Sequence, residues 1–424
     1  MDCSQINCLT PESWPPAWPQ NKPLQKTVTV CDKNRNILQG LKPAKPQKTH
    51  RINGTSMKLS PDLISTSYSK GLADLQEELP TNFSWLDKRP GGIEIGDRNQ
   101  YECGCCWAMS IVSVLGDRCG IKWNISSPRL SVLWLTAVGN TTMDQVIQQL
   151  NSPSLDANTG NCSCGSNIEG ALKWLENDNN GIKLESCWPF NDRVFEDIVS
   201  NCTMSALPPK SKFLEFEGCY NSCEKDINIF GVKPNSTKAI AIKDSNGNFD
   251  YDKTALAIKQ EIYNNGPVST AFYVPQDFMD FWNNGSIDDI YEPKTDKTEG
   301  GHGVAIIGWG EDNGKTWWQV RNSWGLTHDG KGWCKFLTSD LTDPNFRTGI
   351  DVPIQQQGSY FGGVLSFHPQ DNLPNGYTPK TYTPSQEQEN SHDKLSISPL
   401  ILVPIILLFA ILLFTFIIKL LRKK

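Results

Sequence analysis

The chain has 424 residues, a formal net charge of −6, and 38% hydrophobic and 20% charged residues. That length allows more than one folded segment, and the acidic balance argues against a nucleic-acid partner. Fourteen cysteines point to a disulfide-permissive compartment or an unusual thiol load.

Residues 1–78 are polar and Pro-rich, with no long apolar period, and read as mostly extended or disordered. Only Tyr68–Glu78 has short helical character. The N-terminus lacks an apolar h-region, so no cleavable signal peptide is expected. Further on, Gln100-Tyr101-Glu102-Cys103-Gly104-Cys105-Cys106-Trp107-Ala108-Met109-Ser110 runs into Ile111, Val112, Val114 and Leu115. The pattern places the Cys106 thiol at the start of a buried helix. The positive end of a helix and a nearby imidazolium both lower a thiol pKa and leave a thiolate nucleophile. Gln100 lies upstream, where its amide can point at an oxygen of the thiol's substrate. On this stretch alone, a disulfide cluster in a secreted domain remains an alternative.

Asn161-Cys162-Ser163-Cys164-Gly165 precedes an amphipathic stretch, Ile168–Leu175, with helical spacing. From Cys187 to about Tyr251 the chain is irregular. Cys187, Cys202, Cys219 and Cys223 could staple this part, and with no His among them neither a metal site nor a cofactor is expected. Ala255–Tyr263 reads as a helix that ends at Asn264-Asn265-Gly266-Pro267. Strands are expected over Val268–Val274, Val304–Trp309, Thr316–Arg321 and Gly332–Phe336. Helices early and strands late predict an α+β fold of two subdomains with a cleft between them. Residues 356–399, rich in Gln, Pro, Ser, Thr and Asn, read as a stalk. Leu400–Ile418 is apolar except for Pro404 and Thr415 and is long enough for one transmembrane helix, with a basic tail over 419–424.

Three motifs, in this order, resemble the papain-like cysteine proteases and within them the cathepsin B branch. Cys103-Gly104-Cys105-Cys106-Trp107 is similar to the segment that bears their nucleophile, with Cys105 replacing the usual small residue. Gly300-Gly301-His302-Gly303-Val304-Ala305-Ile306-Ile307-Gly308-Trp309-Gly310 is similar to the catalytic histidine segment. Arg321-Asn322-Ser323-Trp324-Gly325 is similar to the family's Asn-Ser-Trp-Gly motif. The resemblance implies a helical left subdomain, a barrel-like right subdomain and a Cys106–His302–Asn322 site. His302 would take the Cys106 proton and return it to the leaving amine, and Asn322 would fix the ring. Trp324 would shield that bond. Gln100 and the Cys106 backbone N–H would form the oxyanion hole. The resemblance also implies a Cys103–Cys164 disulfide and leaves Cys334 without an obvious partner. Cys105 would be either packed and inert or redox-sensitive.

By the same resemblance the protease domain covers 79–355 and starts at Leu79-Pro80-Thr81-Asn82-Phe83-Ser84-Trp85. His302 and Asn322 lie about 200 residues past Cys106, against about 130–150 in the family pattern. An insertion of about 60 residues over 188–250 accounts for the difference. Residues 1–78 become a pro-like region, either a flexible spacer or a short blocking arm with Cys31 as its thiol. Cathepsin B grips substrate C-termini with a histidine pair, and no histidine lies between His50 and His302, so endopeptidase action on proteins or peptides is expected. His328 is expected in a loop. Two other classes compete: an inactive papain-like peptide-binding protein, and a thiol redox or metal protein built on Cys103, Cys105 and Cys106. The terminal anchor and atypical pro-region also resemble probable cysteine proteinases of large DNA viruses such as iridoviruses. A single-pass membrane location follows from Leu400–Ile418, with both orientations open. The basic tail favours a cytosolic terminus, whereas the missing signal peptide favours tail anchoring with the protease domain in the cytosol.

Overall fold

The computed structural model of the chain describes residues 30–31, 37–38, 58–60, 63–64, 79–100, 104–138, 167–177, 181–188, 190, 229–286, 288–326, 330–356 and 359–383. Residues 1–382 form one compact unit and 383–424 a second, of which only Thr383 is described.

In chain order, β1 (Val30–Cys31) and β2 (Ile37–Leu38) pair with each other, and β3 (Lys58–Leu59) follows. Then come β4 (Phe83–Ser84), α1 (Trp85–Lys88), α2 (Cys106–Trp123), α3 (Val132–Val138) and α4 (Ile168–Leu175). After β5 (Lys238–Ile240), α5 (Tyr251–Asn265), β6 (Val268–Pro275), α6 (Gln276–Asn284) and β7 (Ile290–Tyr291) lead into β8 (Thr298–Asp312), β9 (Lys315–Arg321) and β10 (Trp333–Leu337). A 3-10 turn (Pro344–Phe346) precedes β11 (Ile354–Gln356), β12 (Ser359–Phe361) and β13 (Gly363–Ser366).

The main sheet has eight strands in the order β5-β13-β6-β8-β9-β10-β7, with β4 added to β8. β8 is apolar on both faces because each face meets a core. Val304 and Ile306 join the sheet-side core with Phe272, Trp318 and Phe336, whereas Ala305 and Ile307 join the helical core with Leu115, Leu133 and Leu172. α2 is buried from Cys106 through Gly120, so it runs through the interior rather than over the surface. The Ser110 hydroxyl donates to the Val304 carbonyl at 2.6 Å and bonds the Ser269 hydroxyl at 2.5 Å, tying α2 to β8 and β6. Arg118 donates to the carbonyls of Pro267, Gly266 and Phe367 and pairs with Glu261 at 2.9 Å. Burial pushes the Glu261 carboxyl up, but Arg118 outweighs it and holds the group at about 2.

Helix α5 begins earlier than its apolar period predicts. The Asp250 side chain caps it by accepting from the Lys253 N–H at 3.0 Å, and it stops at Gly266, whose φ is +107°.

Three expectations need correction or extension. The stalk does not begin at residue 356, because β13 lies inside the main sheet between β5 and β6, with Val364, Leu365 and Phe367 buried. These apolar residues form a strand too short to stand out from their polar flanks. Residues 229–250, the end of the expected insertion, are built into the body through β5 and buried Phe230 and Val232. Part of the pro-like region is also packed. β3 pairs with β12, Leu59, Leu63 and Ile64 enter the helical core, and the Ser60 N–H and hydroxyl donate to buried Glu169 at 2.8 and 2.6 Å. The buried apolar side chains and the two charge-assisted bonds offset the entropy of ordering this short stretch.

Among the described residues, no helix is long and apolar enough to cross a membrane; Leu400–Ile418 lies outside them.

Candidate active site

Cys106 is the first residue of α2, and Cys105 is its N-cap residue. The first helical turn carries no acidic side chain to oppose the positive end of the helix. Both cysteines are buried, and Cys105 packs in the helical core.

The histidine strand lies directly on this turn. A Cβ added to Gly303 would fall 3.1 Å from the Cα and N of Trp107 and 3.2 Å from the carbonyl carbon of Cys106. A side chain there would have to push that backbone aside by a few tenths of an ångström, so glycine suits this close approach of β8 to the helix start. His302 is the preceding residue of the same strand. The Nε2 atom of His302 lies 2.7 Å from Oδ1 of Asn322. Bonded to an acceptor, Nε2 carries the proton of a neutral ring, which makes Nδ1 the basic nitrogen. Asn322 Oδ1 also accepts from the Ser323 N–H at 2.7 Å, which fixes the amide. Trp324 stacks on the His302 ring with centroids 4.6 Å apart and is itself buried. Phe272, opposite His302 in the β6–β8 register, meets the ring edge-on at 5.9 Å. The imidazole is thus held by one hydrogen bond and two aromatic walls.

Gln100 comes from a segment that pairs with the Asn322 motif. Its N–H donates to the Ser323 carbonyl at 2.8 Å, Asn99 bridges Trp324, and the Gly325 N–H donates to the Arg98 carbonyl at 2.9 Å. The Ser323 hydroxyl donates to Gln100 Oε1 at 2.7 Å. With its oxygen engaged there, the amide turns its NH2 the other way, as an oxyanion donor requires. Ser323 was not singled out from sequence. A serine after an asparagine reads as a turn residue until the partner segment is known.

A buried ionic chain underlies these segments, and sequence reasoning missed it. Arg321, next to Asn322, donates to Asp117 Oδ2 at 2.6 Å and to the Glu94 carbonyl at 2.7 Å. Asp117 Oδ1 accepts from the Glu94 N–H at 3.0 Å. The Glu94 carboxylate takes two bonds of 2.6 Å from Arg98, which also reaches Glu185 at 2.7 Å. Burial pushes Glu94 up, but Arg98 prevails and holds it at about 2. Burial pushes Asp117 up against the pull of Arg321. The chain therefore links α2 to the residues flanking both Gln100 and Asn322. Its only trace in the sequence is isolated charges inside apolar runs, such as Asp117 within α2.

Cys103, Cys164 and His328 lie outside the described residues, so the expected disulfide is not seen. Cys187 is disulfide-bonded. Cys119 and Cys334 are buried thiols, and burial raises the pKa of each. Among the described residues, no group of three His, Cys, Asp or Glu side chains could hold a metal ion.

The chain was compared with known proteins. Residues 79–345 match the model of the papain family cysteine proteases. Cathepsin B-like cysteine proteinase 3 of Caenorhabditis elegans is 29% identical over 283 residues, which cover 65% of each chain. Cathepsin B of Dictyostelium discoideum is 27% identical over 256 residues, 60% of this chain and 69% of that one. The solved structure of procathepsin B S9 from Trypanosoma congolense aligns with 76% of this chain and 87% of its own, at a TM-score of 0.47 and 18% identity. The match spans just under two thirds of the first of these relatives. With the family model covering more than half of its length, the chain belongs to the papain family of cysteine proteases, and its relatives are cathepsin B-like.

Proposed function

We propose that the chain is a thiol endopeptidase that uses Cys106, His302 and Asn322. The observation that carries this reading is the 2.7 Å His302–Asn322 bond on a strand whose next residue, Gly303, packs against the Cys106–Trp107 backbone. In the first step the Cys106 sulfur attacks the scissile carbonyl carbon while His302 Nδ1 takes the thiol proton. The carbonyl π pair moves onto oxygen, and the Gln100 amide and Cys106 N–H stabilise the resulting oxyanion. Collapse of this adduct expels the amine, which His302 protonates, and leaves a thioester. Water, deprotonated by His302, then attacks the thioester and releases the acid product and the thiol. Asn322 keeps the ring oriented throughout, and Trp324 keeps water from their bond.

The test is alkylation by an epoxide thiol-protease inhibitor, with the labelled peptide located by mass spectrometry and turnover measured on an internally quenched peptide. Labelling at Cys106 with loss of turnover supports the reading. Turnover that survives the Cys106→Ala substitution overturns it. Faster release of dipeptides from a free-carboxylate substrate than cleavage of a capped one would refute the endopeptidase part.

The packing of residues 58–60 and 63–64 favours a blocking arm over a flexible spacer for the pro-like region. The anchor at Leu400–Ile418 rests on its length and apolarity alone. Retention of the full chain in membranes after alkaline carbonate extraction supports it, and release of the chain refutes it. Glycosidase sensitivity then decides which side the protease domain faces.

A further inference from the structure

A cavity of about 780 Å³ lies on the sheet side, outside the Cys106–His302–Asn322 cluster. It is built from segments that none of the three motifs includes: the approach to α5, the entry to β8, the 3-10 turn and β11. Its wall is continuous with the strands that carry the site. Tyr273 lines the cavity and pairs with Gly301, the residue before His302, while Pro275 and Thr298 extend the wall along the same two strands. At about 3.3 Å per residue, the four residues from His302 to Thr298 span about 13 Å, the reach of four residues of an extended peptide.

The cavity presents a fixed cation. The Arg347 guanidinium lies 4.0 Å from the centroid of the Tyr251 ring, donates to the Tyr251 hydroxyl at 2.9 Å and donates to the Ser339 carbonyl at 3.2 Å. Among the described residues, Arg347 forms no ion pair with a carboxylate. Lys243 is held on aromatic rings in the same manner. Its ammonium lies 5.1 Å from the ring centroid of Phe249, another lining residue, and donates to the Tyr360 hydroxyl at 3.0 Å. The one acid in the lining, Asp296, is exposed at the rim beside Lys297. A planar guanidinium fixed by stacking keeps its remaining N–H groups for a carboxylate and loses little entropy on binding one.

We propose that this cavity is a subsite for an acidic side chain, Asp or Glu, of the polypeptide substrate, within four residues of the scissile bond, with Arg347 as its anion-binding group. The proposal rests on the peptidase reading, and the experiment separates the two. Full-length chain in detergent is assayed on quenched peptides in which Glu is moved one position at a time and compared with Gln at the same position. At one position within four residues of the scissile bond, Glu is expected to be preferred by about tenfold in kcat/KM, mainly through KM. In Arg347→Gln that ratio falls to within about twofold. Arg347→Lys restores only part of the ratio, because a point charge lacks the stacked fork. A second arm measures binding of a fluorescent Glu-containing peptide and its Gln twin to Cys106→Ser, with and without Arg347→Gln. Turnover with no Glu preference at any position, or a preference that survives Arg347→Gln, overturns the subsite and leaves the peptidase intact. Absence of turnover on every peptide, with Arg347-dependent binding of the Glu peptide in the second arm, overturns the peptidase reading and keeps the subsite.

Discussion

The two walls of the candidate site hold their reactive groups by different means. On the helical wall, Cys106 is positioned by backbone: it opens a helix that is buried for most of its length and locked to the sheet through Ser110 and Arg118. On the sheet wall, His302 is positioned by side chains: the Asn322 amide, the Trp324 face and the Phe272 edge. Errors on the first wall should therefore appear as lost stability, and errors on the second as lost turnover in a protein that still folds.

The largest expected effect sharpens this contrast by removing the nucleophile alone. Cys106→Ala should lower kcat by about 10⁴-fold or more, because the acyl-enzyme route is closed. The melting temperature should stay within a few degrees of wild type, since a small side chain at a helix start is replaced by one that packs as well. A fall of more than about 10 °C in a calorimetric scan would show that the sulfur also supports the fold.

Asp117→Asn strikes where the two walls are joined. It leaves the Arg321 charge buried without its carboxylate, and the cost should be about 3–5 kcal/mol in urea unfolding. Because Arg321 adjoins Asn322, turnover of the folded fraction should fall as well. If stability fell while turnover per folded molecule held, the ionic chain would serve the fold alone.

Glu261 tests the helical wall through pH. Its folded pKa of about 2 lies below the ordinary carboxyl value of 4.5 that it has in the unfolded chain. Its stabilisation is therefore present above about pH 4.5 and lost as pH falls through the folded pKa near 2. A shift of that size corresponds to about 3 kcal/mol. Glu261→Gln should flatten the acid limb of a stability–pH curve by about that amount, and an unchanged limb would refute the role of the Arg118–Glu261 pair.

Two smaller substitutions probe the sheet wall. Gln100→Ala should lower kcat about 100-fold with less change in KM. Ser323→Ala should cost about tenfold, because it removes only the bond that orients the Gln100 amide. Equal losses for the two, or a Ser323→Ala variant as active as wild type, would remove Ser323 from the account. Thermal melts of both should stay close to that of the parent.

Local patterns made much of this legible. Cys106 before an unbroken apolar run predicted a buried helix led by a thiol, and the helix Cys106–Trp123 has that form. The apolar stretch after His302 predicted a strand, and β8 lies between the two cores. Interactions between distant segments could not be read this way. Ser323 reads as a turn residue until Gln100 is found beside it. Gly96 and Gly332 carry no motif, yet a Cβ on Gly332 would fall 1.8 Å from the Gly96 carbonyl oxygen, so only two glycines can cross there. Val364, Leu365 and Phe367 sit among polar residues, and their strand is stabilised by neighbours from β5 and β6 that no window along the chain contains.

The sequence by itself determined the residue types the chemistry needs, their order along the chain, and the helix and strands that carry them, because those depend on side-chain periodicity over neighbouring residues. Tertiary structure alone decided which nitrogen of His302 meets Asn322, which way the Gln100 amide faces, that Arg321 is neutralised by Asp117, and that residues 58–60, 63–64 and 359–367 belong to the folded body. Each of these is a contact between segments far apart in the chain, and such contacts exist only once the two cores have closed around β8.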